Sequence, residues 1–307
     1  MSGIRAGGRP EWLRIKIQTG ESFRRVRSMV DELRLHTVCA EARCPNVYEC
    51  WNAGTATFMI LGDTCTRTCG FCNVKSGKPL AGVDPVEPAH VAEAVARLSL
   101  GHAVITSVDR DDLPDGGADH FARVIEAIRE RSPSCAVEVL TPDFKGKPGA
   151  LDRVLAARPE VFAHNVETVP RLYRTARRGS SYLGSLALLH AAARWRDEAM
   201  PDLVVKSSVM LGLGERRDEV LAVLGDLRRS GVDVLTLGQY LQPSARHLPV
   251  ERYVPPAEFA ELRAEGETLG FRHVESGPLV RSSYHAERHR PGPAPPPSGA
   301  SAPPPVR

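Results

Sequence analysis

The cysteine pattern constrains this chain more than any other feature of its sequence. Six of the seven cysteines fall within one window of about 34 residues. They form two triplets, the first made of Cys39, Cys44 and Cys50 and the second of Cys65, Cys69 and Cys72. Thiolates are soft ligands that suit iron–sulfur clusters or zinc. We therefore interpret the window as two iron–sulfur sites.

Disulfides and a structural zinc ion are the alternatives for clustered cysteines. The N-terminal sequence lacks the apolar run of a signal peptide, so we expect a reducing cytoplasm, where metal ligands are the commoner use. A structural zinc needs a close fourth ligand, but no histidine lies between Cys65 and His90. Three cysteines leave one iron of a four-iron cubane without a protein ligand. The second triplet therefore predicts a catalytic cluster with an open position.

Composition excludes several classes of function. Of the 307 residues, 42% are hydrophobic and 25% are charged, as in ordinary soluble globular proteins. No apolar run approaches the roughly 20 residues that a membrane helix needs. A net charge of +3 with 6% aromatic residues is weak support for nucleic-acid binding. We expect neither a nucleic acid nor a membrane as a partner.

Downstream of the cysteines, short apolar runs alternate with helical patterns about six times. The predicted strands are Thr57–Leu61, Ala103–Val108, Ala136–Leu140, Val161–Val166, Leu203–Leu211 and Val232–Leu237. The predicted helices are Glu21–Leu35, Pro88–Leu98, Ala118–Arg131, Gly149–Ala157, Ser180–Arg196, Arg217–Ser230 and Ala257–Leu269. This alternation is typical of βαβ units around a parallel sheet, either doubly wound or closed into a full or partial barrel. We expect a partial barrel of six units, preceded by a loop over residues 36–56.

Chemically interesting side chains follow several of the predicted strands. They are Cys65, Ser107, Asp109, Asn165, Glu167, the stretch Lys206–Glu215, Gln239 and Tyr240. In parallel α/β folds, ligands bind at the carboxyl ends of the strands. The site is therefore expected at that edge.

The spacing C-x-x-x-C-x-x-C, with Phe71 before the last cysteine, resembles the radical S-adenosylmethionine (SAM) superfamily. The resemblance implies an α/β fold, a partial (β/α)6 barrel whose mouth is closed by N-terminal and C-terminal extensions. It also implies a cluster whose open iron binds the amino and carboxylate groups of SAM. Reductive cleavage of SAM then yields a 5′-deoxyadenosyl radical.

Three further stretches resemble the lipoyl synthase family within that superfamily. They are His36–Trp51, Gly238–Val250 and Gly277–Ala286, the last of which contains the sequence RSSY. The family resemblance implies a sulfurtransferase that inserts two sulfur atoms at carbons 6 and 8 of an octanoyl chain. That chain is attached to a lysine of a lipoyl carrier domain. Two SAM molecules are used, and a sacrificial auxiliary 4Fe–4S cluster supplies the sulfur.

The resemblance also assigns roles to individual residues. The second triplet is implied to bind the SAM cluster, and the first triplet the auxiliary cluster, with Ser283 as its fourth ligand. Arg281, next to this serine, is expected to act with it in catalysis. SAM contacts are expected from Asn165, Glu167, Lys206 and Ser208.

The implied partners follow from the reaction. They are octanoylated carrier domains, such as the acyltransferase subunit of 2-oxoacid dehydrogenases and the glycine cleavage H protein. An electron donor such as ferredoxin or flavodoxin and an iron–sulfur carrier for cluster rebuilding are also expected. Competing functions are another sulfur-inserting radical SAM enzyme, such as biotin synthase or a methylthiotransferase, and a two-cluster electron carrier.

Five segments are predicted. Residues 1–10 are disordered, 11–56 form an N-terminal extension with the first triplet, 57–270 form the barrel, 271–290 carry RSSY, and 291–307 are a disordered Pro-rich tail. The arginines at 171, 174, 177 and 178 are interpreted as a solvated helix face, with a dock for an acidic carrier as the alternative.

Overall fold

A computed structural model describes residues 9–15, 17–52 and 56–290. The predicted disorder of residues 1–8 and of the Pro-rich tail 291–307 falls outside the described residues. Within the described ranges, no helix combines the length and the apolar character that crossing a membrane requires.

The chain alternates strands and helices as the sequence pattern predicts. The strands are β1 His36–Thr37, β2 Thr57–Ile60, β3 Thr64–Cys65, β4 Lys75–Ser76, β5 His102–Ser107, β6 Ala136–Leu140, β7 Val161–Ala163, β8 Val204–Leu211, β9 Val234–Gln239 and β10 His273–Gly277. The α-helices are α1 Glu21–Glu32, α2 Val38–Glu41, α3 Val47–Asn52, α4 Glu87–Arg97, α5 Ala118–Arg131, α6 Ala150–Ala156, α7 Tyr173–Ala176, α8 Tyr182–Ala199, α9 Arg217–Arg229 and α10 Pro256–Thr268. Short 3₁₀ turns span Glu11–Leu13, Pro170–Leu172 and Ala286–His289.

The main sheet has eight strands in the order β1-β2-β5-β6-β7-β8-β9-β10. All neighbours from β2 to β10 are parallel, and only β1 runs antiparallel to its neighbour β2. Almost every residue of β5 to β9 is buried, so both faces of the sheet are covered, as in other parallel α/β folds. The predicted α/β fold with a mostly parallel sheet is confirmed.

Helix α5 shows how the helices cover the sheet. Phe121, Val124, Ile125 and Ile128 recur at helical spacing and are fully buried. Side chains at such intervals form one stripe along a helix, so α5 presents a continuous apolar face to the core. Burial of this face, rather than intrinsic helix propensity, supplies most of the stability of the helix.

Two parts of the architecture differ from the sequence prediction. The predicted loop over residues 36–56 is wrong, because its described part contains β1 and the short helices α2 and α3. Thr37 caps α2 by accepting a hydrogen bond from the Ala40 N–H at 3.3 Å. Strand β10 was not predicted, since its sequence HVESG lacks an apolar run. It adds a seventh parallel strand after β9.

A segment after β10, residues 278–290, connects the β10 edge of the sheet to the N-terminal extension and to the residue before β5; we call it the C-terminal strap. Asn46 Nδ2 donates to the Leu279 carbonyl at 2.8 Å, which ties the strap to the N-terminal extension. Arg290 Nη1 donates to the carbonyl of Gly101, the residue before β5, at 3.2 Å. The extensions at both ends of the chain are thus bound to each other across the open side of the sheet.

Candidate active site

A cavity of about 800 Å³ lies at the carboxyl edge of the parallel sheet. Its lining includes five cysteines of the two triplets, Cys39, Cys44, Cys65, Cys69 and Cys72. It also includes Asn165, Glu167, Ser208, Arg281 and Ser283. One chamber therefore brings together residues from both extensions and from the carboxyl ends of the five successive strands β5 to β9.

The second triplet lies on the loop that starts at the end of β3. The backbone N–H groups of Arg67 and Asp109 both donate to Cys65 Sγ, each at 3.4 Å. Burial raises the pKa of Cys65 to about 11. Burial and then the neighbouring Cys72 thiol raise the pKa of Cys69 to about 12. Buried thiols this close together are poor acids, so a bound metal is needed to hold them as thiolates.

The first triplet is carried by α2, α3 and the turn between them. Burial, with a smaller effect of Cys44, raises the pKa of Cys39 to about 11. Burial, with smaller effects of Cys39 and Cys44, raises the pKa of Cys50 to about 12. Arg281 is close enough to Cys44 that its positive charge partly offsets the effect of burial on the pKa of that thiol. The three thiols thus lie close enough to affect one another, and the half-buried Arg281 lies beside one of them.

Thr57, the first residue of β2, connects Ser283 to this triplet. Its hydroxyl donates to Ser283 Oγ at 3.0 Å. A backbone hydrogen bond from Thr57 also acts on Cys39, where it lowers the thiol pKa against the effect of burial. One residue therefore touches both the strap and the first triplet, which brings the serine of RSSY to the cysteines.

The spacing of the sulfur atoms bears on which metal fits. Four ligands around zinc at about 2.3 Å place sulfur atoms less than about 4 Å apart. In the described part of the chain, neither triplet brings all three Sγ atoms within 4.8 Å of one another. A cubane places each thiolate on a different iron and so holds the sulfurs farther apart. The donor sets therefore fit clusters better than a single zinc ion.

Asn165 and Glu167 form a polar pair beyond the end of β7. Asn165 Nδ2 donates to Glu167 Oε1 at 3.0 Å, whereas the buried Asn165 Oδ1 lacks a hydrogen-bond partner in the described part of the protein. Glu167 has a φ of +67°, a strained backbone conformation that is concentrated at functional sites. Burial raises the pKa of its carboxyl group. The pair offers oxygen acceptors to a ligand with hydroxyl groups.

Sequence models of two known families match the barrel and the N-terminal part of the chain. The Radical SAM superfamily matches residues 59–227, which run from β2 to α9. The N-terminal domain of lipoyl synthase of the Radical SAM family matches residues 5–44, which include the first two cysteines.

Two bacterial relatives decide the family. The chain is 58% identical over 281 residues to lipoyl synthase from Methylococcus capsulatus, covering 91% of this chain and 86% of that protein. It is 56% identical over 283 residues to lipoyl synthase from Thermus thermophilus, with the same two coverages. The chain belongs to the lipoyl synthase family. It is thus a radical SAM sulfurtransferase whose cofactors are SAM and 4Fe–4S clusters.

Solved structures share the fold at low sequence identity. Methylornithine synthase superposes with a TM-score of 0.51 at 13% identity, covering 82% of this chain and 81% of that one. Streptococcus suis SuiB with its precursor peptide superposes with a TM-score of 0.52 at 11% identity, covering 81% and 51%. At such identities the likeness concerns the fold alone.

Arg177 is the residue of this lipoyl synthase site that sequence reasoning missed. The predicted solvated face is wrong at this position, because Arg177 is buried and lines the cavity. Nη1 donates to Ser185 Oγ at 2.8 Å and to the Tyr173 hydroxyl at 3.2 Å, and Nη2 lies 3.2 Å from His164 Nε2. Burial, then Arg177, lowers the pKa of His164 to about 3, so this ring is neutral. All three partners of the guanidinium are therefore uncharged.

Lys206 was predicted to contact SAM but lies away from the cavity. Its ammonium group is fully buried, 2.7 Å from Glu138 Oε1 and 2.9 Å from His289 Nδ1. Residues 206 and 208 share a face of β8, but two strand residues are about 6.6 Å apart. Ser208 therefore reaches the cavity, whereas the lysine lies one layer deeper.

A group of potential metal ligands lies beside this lysine, outside the cavity. His273, Glu275 and His289 place their ligand atoms within 4.8 Å of one another. Lys206 Nζ contacts one ring nitrogen of this group at 2.9 Å. A cation at this distance opposes the binding of a second cation. We therefore interpret the group as part of the packing between the strap and the barrel.

Proposed function

We propose that this cavity inserts two sulfur atoms, at carbons 6 and 8, into an octanoyl chain amide-linked to a lysine of a lipoyl carrier domain. The observation that carries the proposal is the convergence of five of the six triplet cysteines and Ser283 on one cavity. A shared chamber lets the group that activates carbon and the group that supplies sulfur reach the same chain.

We assign the second triplet to the cluster that binds SAM, and the first triplet with Ser283 to the auxiliary cluster. When bound, the SAM cluster and SAM supply hydrogen-atom abstraction from unactivated carbon. The auxiliary cluster is a substrate, because its sulfur enters the product. Oxygen is a harder and poorer ligand for this iron than thiolate, so we expect the bond at Ser283 to be the easiest to break.

The protein's own polar residues bind and orient SAM. Arg177 offers a buried positive charge to the carboxylate of the methionine part. Asn165 and Glu167 accept hydrogen bonds from the ribose hydroxyls. Ser208, whose hydroxyl donates to the Thr236 carbonyl at 3.3 Å, lines the wall beside them.

The remaining lining suits the acyl chain. Met59, Val108, Leu140 and Met210 line the cavity with apolar side chains. Such walls bind a hydrocarbon chain and exclude water from a reactive radical. The half-buried Arg281 places a positive charge beside Cys44, where we expect it to help retain the anionic auxiliary cluster and so act in catalysis.

The partners remain those expected from the reaction. We propose octanoylated domains of 2-oxoacid dehydrogenase acyltransferase subunits and the glycine cleavage H protein as substrates. Each SAM cleavage needs one electron, for which ferredoxin or flavodoxin is the expected donor. Loss of cluster sulfur requires an iron–sulfur carrier protein, and the reducing cytoplasm is the expected compartment.

Mass spectrometry of an octanoylated lipoyl-domain peptide tests the proposal. The anaerobically reconstituted protein is incubated with the peptide, SAM and dithionite. We expect a product that has gained two sulfur atoms, together with 5′-deoxyadenosine. Formation of 5′-deoxyadenosine without any gain of sulfur would contradict the proposed reaction.

A further inference from the structure

Arg67, within the second triplet, is a buried cation whose hydrogen-bonding capacity is fully used. Its side chain is 4% exposed. Nε and Nη2 each donate to a carboxylate oxygen of Asp111 at 2.8 Å. Nη1 and Nη2 donate to the two oxygens of Asp143 at 2.9 and 2.6 Å, and Nη1 also donates to Ser180 Oγ at 2.8 Å. With all five N–H bonds occupied, the guanidinium is held in one orientation.

These three partners come from different parts of the barrel. Asp111 follows β5, Asp143 follows β6, and Ser180 immediately precedes the N-cap residue of α8. The arginine therefore ties the cysteine loop to three separately anchored segments. A lysine carries the same charge but has no planar fork, so it cannot make both paired contacts.

Arg67 also contacts a cysteine of the triplet directly. Its own N–H donates to Cys65 Sγ at 3.4 Å, as does the N–H of Asp109. The Thr66 N–H donates to the Asp109 carbonyl at 3.0 Å. Asp109 Oδ1 also lies 3.4 Å from Arg67 Nη1. The arginine thus contacts this sulfur through its backbone N–H, and its side chain contacts Asp109, whose N–H donates to the same sulfur.

We propose that Arg67 is a positioning residue for the cluster of the second triplet, an inference that rests on the cluster assignment made above. It has two separable effects. The forked contacts hold the loop in the shape that presents three sulfur atoms to one cluster. The positive charge partly neutralises Asp109, Asp111 and Asp143, three carboxylates that surround the loop.

Two substitutions separate geometry from charge. Arg67→Lys keeps the charge and removes the forks, whereas Arg67→Gln removes both. Arg252 is the control, because it makes a two-point contact with Glu258, both distances being 2.7 Å, outside the cavity lining. Arg252→Lys and Arg252→Gln therefore disrupt a forked ion pair elsewhere, on a side chain that is 39% exposed.

Two measurements on the full-length reconstituted protein read out these effects. One is the rate of iron release to a chelator. The other is the midpoint potential of the cluster whose electron paramagnetic resonance signal changes when SAM is added. Neither uses an acyl substrate, so failure of this proposal is distinguishable from failure of the sulfur-insertion reaction.

We expect both Arg67 variants to release iron from this cluster about tenfold faster or more. Each substitution removes the guanidinium that joins Asp111, Asp143 and Ser180 in one buried hydrogen-bond network. Arg67→Gln should also shift the midpoint potential to a more negative value, since an added electron then meets uncompensated carboxylates. Arg67→Lys should keep the wild-type potential. Wild-type release rates in both variants, or equal effects in the Arg252 controls, would overturn the proposal.

Discussion

At the scale of single residues, Arg177 is a buried positive charge that lines the cavity. A guanidinium in a protein interior is costly unless an anion accompanies it. Tyr173, Ser185 and His164 satisfy its hydrogen bonds, and the carboxylates of Glu167 and Asp143 partly offset its charge without a hydrogen bond to it. We propose that the carboxylate of SAM, bound in the adjoining cavity, supplies an anion in direct contact with this guanidinium.

Substitution of Arg177 tests this role. We expect Arg177→Gln to weaken SAM binding by about tenfold to a hundredfold, the usual range for a lost charged hydrogen bond. Equilibrium dialysis of the reconstituted protein measures the effect. The adjacent Arg178 is exposed, so Arg178→Gln is a control that should retain wild-type affinity. Equal affinity in the two variants would rule out the proposed contact.

His164 makes the stability of the protein depend on pH. Burial, followed by the charge of Arg177, lowers its pKa from 6.5 to about 3 in the folded state. Below pH 6.5 the unfolded chain therefore binds a proton that the folded protein does not, so stability is complete above that pH and falls as the pH decreases towards 3. The loss from this one group is at most about 1.4 kcal/mol per pH unit.

Urea unfolding at pH 7.5 and 5.5 checks this dependence. His164→Gln should lose less stability between the two pH values than the wild type, whatever its absolute stability. His190 is exposed, and His190→Gln should keep the wild-type dependence. An unchanged difference in His164→Gln would show that this histidine does not contribute.

At the scale of secondary-structure elements, the C-terminal strap determines where Ser283 lies. The backbone of the strap passes so close to β9 that a Cβ at Gly238 would overlap the Val280 carbonyl oxygen. Asn46, 4% exposed, donates to the Leu279 carbonyl from the opposite side. The strap is therefore held between the barrel and the N-terminal extension.

Removal of the Asn46 amide should loosen the strap. Asn46→Ala leaves the half-buried Leu279 carbonyl without its donor, at a cost of about 0.5–1.5 kcal/mol. We expect faster hydrogen–deuterium exchange across residues 278–290. Thr268→Ala removes an exposed hydrogen bond within α10 and serves as the control. Exchange in the strap equal to that of the control would contradict its anchoring by Asn46.

The sequence predicted strands correctly where burial on both faces of the sheet produces short, mainly apolar runs, as in β2 and β5 to β9. The predictions were wrong or incomplete where tertiary contacts determine the structure. Strand β10 has a polar sequence, and its order comes from pairing with β9 along five residues. Helices α2 and α3 are too short for a periodic pattern to be recognised. Burial of Arg177 depends on packing against α8, which no local pattern in a run of arginines reveals.

At the scale of the whole molecule, five of the six triplet cysteines share one cavity, because segments near both ends of the chain line it together with the strand ends. The spacing of the cysteines in the sequence indicated two clusters, and the carboxyl ends of the strands were predicted to meet at one edge. The approach of the strap to the first triplet was implied only by family resemblance. The segment boundaries proposed from the sequence remain predictions.

The central claim is that the second triplet binds the cluster that cleaves SAM and the first triplet binds the cluster that supplies sulfur. One pair of variants tests this claim most directly. Cys44→Ala and Cys69→Ala are compared with the wild type for 5′-deoxyadenosine formation and for sulfur transfer to the octanoylated peptide. We expect Cys44→Ala to form 5′-deoxyadenosine without transferring sulfur, and Cys69→Ala to do neither. Loss of 5′-deoxyadenosine formation in both variants, with the fold intact by circular dichroism, would contradict the account.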